Sequence, residues 1–324
     1  MHKIRVFVNH RSSGGERAKN LVKQLERKLF RSEIAILSPQ DLAELKSELL
    51  RAVAENVDLV VSVGGDGTVN TLIQTLGDTP TAFLIIPTGT ANDLAREMGL
   101  LGKIDKAVQK IRNTEPEQID LIKINHTLMA TNGGIGIASE VAQHVNDLRK
   151  KFKPFKKIMN LMHDRIYSVF LGYQVMIKKL KIHSFEIECE EFQGRIHSPL
   201  IMINNQPALG GNFRIAPQTK NDDGKFNVTL FLHDSRINFA KTLGHIKFDG
   251  GPNPLDPFLK TFETSMVKVK TPEPIAFYGD GEILDFSNEF EIVSRPKALR
   301  VFGYRDVVKG FGDVVRTPES GVKV

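Results

Sequence analysis

The stretch VVSVGGDGTVN, residues 60–70, constrains the fold more than any other part of the chain. An unbroken apolar run ends on glycines and passes directly into helix-forming sequence. A strand that is apolar on both faces belongs inside a parallel sheet. Glycines at its end let a backbone come close to a ligand and present N–H groups to it. The helix that follows adds positive partial charge at its N-terminus, so phosphate suits Gly64, Gly65 and Gly67. Thr68 can cap that helix or meet a phosphate oxygen. Asp66 is the awkward member. It either caps a tight turn, or it faces a polyphosphate across a cation or an incoming hydroxyl, as phosphoryl transfer requires. The loop lacks the Gly-Lys-Ser/Thr ending of a Walker A loop and is not G-x-G-x-x-G.

The same design recurs. PTGTANDLAR (87–96) follows the apolar run TAFLIIP (81–87), with Asn92 suited to capping a helix and Asp93 as a second carboxylate. Around these loops, strand and helix signals alternate. IRVFVN (4–9), EIAIL (33–37) and DLVVSV (58–63) read as strands. Residues 16–30, 41–56 and about 69–76 read as helices. Alternation of this kind gives a parallel sheet with right-handed crossovers, and two loops at its C-terminal edge open onto one crevice.

After about residue 118 the texture changes. QIDLIKINHTLMATNGG reads as a hairpin around Asn125 and His126, and Ser139 to about Leu180 as helix interrupted by Pro154. From Lys181 short alternating runs dominate, FEIECEEF, RIHSPLIMINN, KFNVTLFL, SMVKVKT, FEIVSRP and ALRVFG, with INFAKTLGHI (237–246) as a helix among them. This predicts an antiparallel sandwich or barrel. The expected architecture is an N-terminal α/β nucleotide-binding domain with a parallel sheet, residues 1–118 with 300–324 returning to it. A β-sandwich-like C-terminal domain follows over 119–299.

Together, Gly64-Gly65-Asp66-Gly67-Thr68 and Pro87-Thr88-Gly89-Thr90-Ala91-Asn92-Asp93-Leu94-Ala95-Arg96 resemble the paired motifs of the diacylglycerol kinase catalytic-domain family, in particular its soluble bacterial lipid kinases. NAD kinases share the first motif; the second sets this chain apart from them. Sphingosine kinases usually carry Asn-Ala where Asn92-Asp93 stands. The resemblance implies an ATP-dependent kinase that passes the γ-phosphate to a hydroxyl of a glycerolipid such as diacylglycerol. Alternatives are another lipid acceptor, phosphatidylglycerol or a sphingoid base, and a non-catalytic nucleotide- and lipid-binding regulator.

The resemblance also assigns residues. Asn9, Ser38, Gly64, Gly65, Asp66, Gly67, Thr68, Asn70, Thr90 and Asp93 would contact the nucleotide. In FYGDGEILD (277–285), Glu282 matches the family's general base, and Asp280 would orient a metal-bound water or assist the proton transfer, with Asp66 as the third acidic catalytic group. APQTKNDDGKFNV (216–228) implies a Mg2+ site at Asp223 with the carbonyls of Lys220 and Lys225. A hairpin turn accounts for the same Asp-Asp-Gly. Asp120 stands where the family has an important aspartate. NHRSSGG (9–15) departs from the family's Asn-Pro-x-Ser-Gly by His10 and one added residue.

Charge and cysteine content narrow the setting. Lys and Arg outnumber Asp and Glu by 44 to 38, a mild excess that suits anionic partners or a solvated basic surface. The run RKKFKPFKK (149–157) fits peripheral contact with an anionic membrane, or a solvated connector; no nucleic-acid-binding signature accompanies it. The lone Cys189 excludes an intrachain disulfide and fits a reducing compartment. The apolar part of MHKIRVFVNH is too short for a signal peptide, and IYSVFLGYQVMI (166–177) is too short to span a bilayer. The expectation is a cytoplasmic protein, peripherally membrane-associated, with a membrane lipid as substrate and a homodimer compatible with the chain.

Overall fold

The computed structural model describes residues 3–9, 15–29, 32–89, 92–101, 104, 107–108, 111, 115–151, 180–210 and 213–303. The first part forms as the sequence dictates. Strands β1 (Lys3–Val8), β2 (Glu33–Leu37), β3 (Leu59–Gly64) and β4 (Ala82–Pro87) lie parallel in the order β4-β3-β1-β2. Val61 of β3 sits opposite Val6 on one side and Leu84 on the other. Every residue of β3 is buried, which is why its sequence does not alternate. Helices α1 (Gly15–Lys28), α2 (Leu42–Ala54) and α3 (Asp66–Leu76) make the crossovers. Helix α2 starts where Asp41 Oδ1 accepts the Glu44 N–H at 2.9 Å, while Glu44 Oε2 accepts the Gln40 N–H at 2.6 Å. This reciprocal cap satisfies donors that the helix cannot.

Helix α3 begins at Asp66, earlier than the apolar spacing from Val69 suggests. Gly65 is its N-cap, with extended backbone and no side-chain cap. The first turn of α3 is therefore the motif itself, Asp66-Gly67-Thr68. Polar residues hid it from a periodicity reading, because only Thr68 and Val69 among the opening residues are buried.

The second part is built from strands. β5 (Glu117–Ile124) and β6 (Thr127–Met129) make the expected hairpin, with Asn125 in the left-handed region at φ 51°, a conformation asparagine tolerates better than most residues. β7 (Asn132–Gly136) leads into helix α5 (Ile137–Lys151). Most of RKKFKPFKK and the methionine-rich stretch after it lie outside the described residues. Then come β8 (His183–Glu188), β9 (Gln193–Ser198), β10 (Leu200–Asn204), β11 (Phe226–Phe231), helix α6 (Arg236–Phe248), β12 (Leu259–Thr264), β13 (Met266–Gly279) and β14 (Glu282–Val301). One apolar core, including Ile122, Phe185, Val228, Val267, Phe277 and Phe290, fills the inside of this body. Helices α5 and α6 cover β10 and β11 on another face, where Ile137, Met202, Phe231, Phe239 and Ile246 meet. The fold is thus an α/β body with a parallel sheet followed by a β-sandwich-like body.

The runs FEIVSRP and ALRVFG, separate in the sequence reading, belong to the single strand β14. A bulge between Arg295 and Leu299 absorbs Pro296, with Lys297 at φ 55°. A proline has no N–H to give to the ladder, so the strand bends there and continues. Past the bulge, Arg300 and Val301 pair in parallel with Ala82 and Phe83 of β4. This joins the two bodies in one sheet, ordered β12-β11-β10-β7-β13-β14-β4-β3-β1-β2. Leu299 and Val301 are buried in the core of the first body.

Candidate active site

The C-terminal edge of the parallel strands carries both glycine loops, and they touch. A Cβ placed on Gly89 would lie 2.6 Å from the Gly65 Cα, so no side chain fits between the loops. The Thr88 N–H donates to the Gly64 carbonyl at 2.9 Å, which carries the β3–β4 ladder into the loops. Asn92 closes the second loop on itself: its Oδ1 accepts the Gly89 N–H at 3.1 Å and its Nδ2 donates to the Gly89 carbonyl at 2.8 Å. Its φ of 52° turns the chain into the short helix α4 (Asp93–Glu97).

Asp66 is the tie between the loops. Its Oδ2 accepts the Asn92 N–H at 2.9 Å and its Oδ1 the Asp93 N–H at 3.0 Å. The carboxylate therefore braces the second loop from the first turn of α3. Burial pushes its pKa up; the Asn92 and Asp93 N–H groups pull it back, and the nearby Asp280 charge adds to the rise. Asn9, at the end of β1, donates from Nδ2 to the Thr68 hydroxyl at 2.9 Å. Three strand ends thus meet at one helix N-terminus.

The β13–β14 hairpin comes down onto this edge from the second body. A Cβ on Gly67 would lie 3.2 Å from Glu282 Oε1, and one on Gly281 3.8 Å from the Asp66 Cβ. Glu282 is half-buried, and Gly67 beside it is exposed. A carboxylate therefore stands over the open N-terminal turn of α3, within reach of whatever that turn binds.

Asp280, at the tip of the same hairpin, is buried at φ 50° and its oxygens are in use. Oδ1 accepts the Thr131 N–H at 2.8 Å and the Thr131 hydroxyl at 2.6 Å. Oδ2 accepts the Ala130 N–H at 2.9 Å and Asn70 Nδ2 at 3.1 Å. Its own N–H reaches the Asn132 carbonyl at 3.3 Å. Burial again raises the pKa, against the pull of these donors. Asp280 fastens the hairpin to α3 and to the start of the second body.

The structure thus brings together Asn9, Gly64, Gly65, Asp66, Gly67, Thr68, Asn70, Asp93, Asp280 and Glu282. Ser38 stands after β2, half-buried, one strand further out in the sheet. Thr90 lies outside the described residues. Lys220, Asp223 and Lys225 lie in the exposed turn before β11, where Asp223 Oδ1 accepts the Lys225 N–H at 3.1 Å. Asp120 holds that turn: its Oδ2 accepts the Gly224 N–H at 2.6 Å while its Oδ1 accepts the Lys297 N–H of the β14 bulge at 2.7 Å.

Sequence reasoning did not single out Thr131, Asn132 and Asn205. Asn132 Oδ1 accepts the N–H groups of Asn205 and Gln206, each at 3.1 Å. Asn205 Nδ2 donates to the Asp120 and Ala130 carbonyls, each at 2.9 Å. The signal was available: Thr131 leads into Asn132, the first residue of a strand buried at every position, and buried amides need partners.

The fold and this edge define a phosphotransferase-type protein: a parallel α/β body whose strand–helix loops suit phosphate, closed by a carboxylate from a β-rich body. The comparisons then place it. Residues 3–124 match the diacylglycerol kinase catalytic domain, and 134–303 match the YegS C-terminal NAD kinase beta sandwich-like domain. A Mycobacterium tuberculosis protein named diacylglycerol kinase is 30% identical over 269 residues, 81% of this chain and 82% of that one. An Escherichia coli O9:H4 protein named "Probable lipid kinase YegS" is 28% identical over 79% of this chain and 82% of its own. A crystal structure of a diacylglycerol kinase from Bacillus anthracis superposes with a TM-score of 0.71 at 18% identity, covering 95% of this chain and 98% of that one, a likeness of fold. The chain belongs to the diacylglycerol kinase catalytic-domain family, a family of lipid kinases.

Proposed function

We propose that this protein transfers the γ-phosphate of ATP to a hydroxyl of a membrane glycerolipid, with diacylglycerol as the foremost acceptor. The observation that carries the reading is the position of the Glu282 carboxylate beside Gly67, in the first turn of α3; it supports a base set against a phosphate-binding turn. The Thr68 N–H in the first turn of α3 already donates to the Gly65 carbonyl at 3.0 Å; the N–H groups ahead of it, at Asp66 and Gly67, have no carbonyl four residues back in the helix to receive them. Gly65, Gly67 and Gly89 keep that turn free of side chains, and the helix end favours negative charge. ATP phosphates suit this cradle. Asn9, Thr68, Asn70 and Asp93 border it, with Ser38 and Thr90 as further nucleotide contacts in the same reading.

The acceptor hydroxyl enters between the two bodies. Glu282 takes its proton as the oxygen attacks phosphorus, which general-base groups make faster by about two to four orders of magnitude. Asp66 holds the two loops at a fixed spacing. Asp280 is a positioning residue: it sets the hairpin that carries Glu282 and leaves the proton to Glu282. Mg2+ bound with the triphosphate supplies neutralisation of phosphate charge when present. The carboxylate of Asp66, whose two oxygens hold lone pairs beyond the two N–H bonds seen, is the group placed to meet it. A second cation would bind at Asp223 with the Lys220 and Lys225 carbonyls. Hard oxygen donors on an exposed turn suit it.

The test is transfer from γ-labelled ATP with Mg2+ and a total bacterial lipid extract, followed by identification of the labelled lipid. Label in phosphatidic acid supports diacylglycerol as acceptor. Label in phosphorylated phosphatidylglycerol moves the reading to that lipid, and an unlabelled lipid fraction refutes the kinase reading.

A further inference from the structure

Helix α6 carries apolar side chains on its outside as well as its inside. Phe239, Thr242, Leu243 and Ile246 are its buried face. Ile237 and Phe248 stand on the opposite face, 66% and 84% exposed. They are eleven residues apart in the chain, which at about 100° per residue puts them within roughly 20° of each other and about 16 Å apart along the axis. Lys241 is exposed between them on the same stripe, and a Cβ on Gly244 would meet nothing within 4 Å. In the loop that follows, Leu255 is 87% exposed. Two large apolar groups this open, aligned along one helix, suit an interaction surface.

We propose that this outer stripe of α6, together with Leu255 of the loop that follows it, is where the protein rests on an anionic lipid bilayer. The inference deepens the proposed function and rests on it. Charge is the first argument for a bilayer over another occupant. Arg236, Lys241 and Lys247 lie on or flank the stripe, and Lys241 and Lys247 make no ion pair among the described residues. Two of the three nearby acids are engaged, Asp249 with His245 and Asp256 with the Thr242 hydroxyl; the third, Asp234, is exposed just ahead of the helix. Apolar groups bordered by cations along a helix are the pattern that lies flat in a membrane interface. Place is the second argument. A Cβ on Gly251 would lie 3.1 Å from Pro217. That residue belongs to the same β10–β11 connection from which the Gly210 N–H reaches Asp93 Oδ2 at 3.4 Å. The loop that follows α6 therefore packs on the same connection whose Gly210 meets Asp93. Among the described residues no helix is long and apolar enough to cross a membrane, so contact through these helices has to be peripheral.

The chain has no tryptophan, so Leu255→Trp provides a lone reporter in the full-length protein. The probes are phosphatidylcholine vesicles with and without phosphatidylglycerol, each also made with brominated acyl chains. Expected is a blue shift of emission and quenching by the brominated chains, strongest on the anionic vesicles. Adding Phe248→Glu weakens partition by about tenfold or more, as withdrawal of a buried aromatic side chain from the interface does. It also raises KM for diacylglycerol in vesicles and leaves turnover of a monomeric short-chain diacylglycerol unchanged. Partition indifferent to Phe248→Glu overturns the proposal. So does emission already blue-shifted without vesicles in a protein that light scattering shows to be dimeric, which assigns the stripe to a second copy. Wild-type protein inert on both lipid forms refutes the kinase reading, and the partition result then still decides the surface.

Discussion

At the residue scale the site is organised by carboxylates that have little water to ionise into. Asp280 faces two backbone N–H groups, a hydroxyl and an amide. Bonds of this kind to a charged acceptor stabilise by about 1.5–3 kcal/mol each, against the cost of burying the charge. Asp280→Asn keeps the shape but turns a donor toward donors. It should destabilise the fold by about 1–3 kcal/mol and lower kcat through displacement of Glu282, with a smaller change in KM for ATP. The pH dependence has a definite sign. Burial raises the pKa of Asp280 above the usual 3.8 in the folded state. Below 3.8 folded and unfolded chains are both protonated. As pH rises, the unfolded chain releases its proton first, so this group's contribution to stability is lost through the folded pKa. The difference in Tm between wild type and Asp280→Asn should therefore narrow as pH rises across that window. Calorimetry that shows it widening contradicts the assignment.

At the element scale the decisive contact is between two loops, and glycine substitutions separate it from ordinary helix effects. Gly89→Ala drives a Cβ into the Gly65 backbone and should weaken ATP binding by at least about tenfold, read by calorimetric titration. Gly244→Ala meets open space on the outer face of α6 and should stabilise the protein by about 0.5–1 kcal/mol without changing ATP affinity. The same contrast shows what was legible in advance. Strand β3 and its loop were readable because burial on both faces and glycine leave a local mark. The convergence of Gly65 with Gly89 was inferable from parallel topology. The bond from Asp66 to the Asn92 and Asp93 N–H groups was not, because it joins positions 26 and 27 residues apart through backbone atoms that have no signature in sequence. Nor was the continuity of β14, since Pro296 reads as a strand end until Asp120 is seen to accept the N–H of the bulge at Lys297.

At the scale of the whole molecule, one strand does most of the joining. β14 starts at Glu282 in the candidate site, runs through the second body and ends against β4 in the core of the first. Glu282, the proposed base, and the strand that joins the second body to the sheet of the glycine loops therefore lie on one continuous piece of backbone. The turn at 220–225 is tied to this strand through Asp120. A cation at Asp223 would then act on the stability of the body rather than on chemistry. Mg2+ should raise Tm of the wild type, and Asp223→Ala should abolish the shift while sparing ATP affinity. A Tm shift that survives Asp223→Ala moves the cation elsewhere.

The claim on which the rest depends is that Glu282 removes a proton from a lipid hydroxyl beside the first turn of α3. The most direct measurement is the initial rate of labelled phosphate transfer to diacylglycerol by wild type and by Glu282→Gln at saturating ATP. The account predicts a loss of about two orders of magnitude or more in kcat, with ATP still bound at near wild-type affinity. Transfer by Glu282→Gln at the wild-type rate would contradict it.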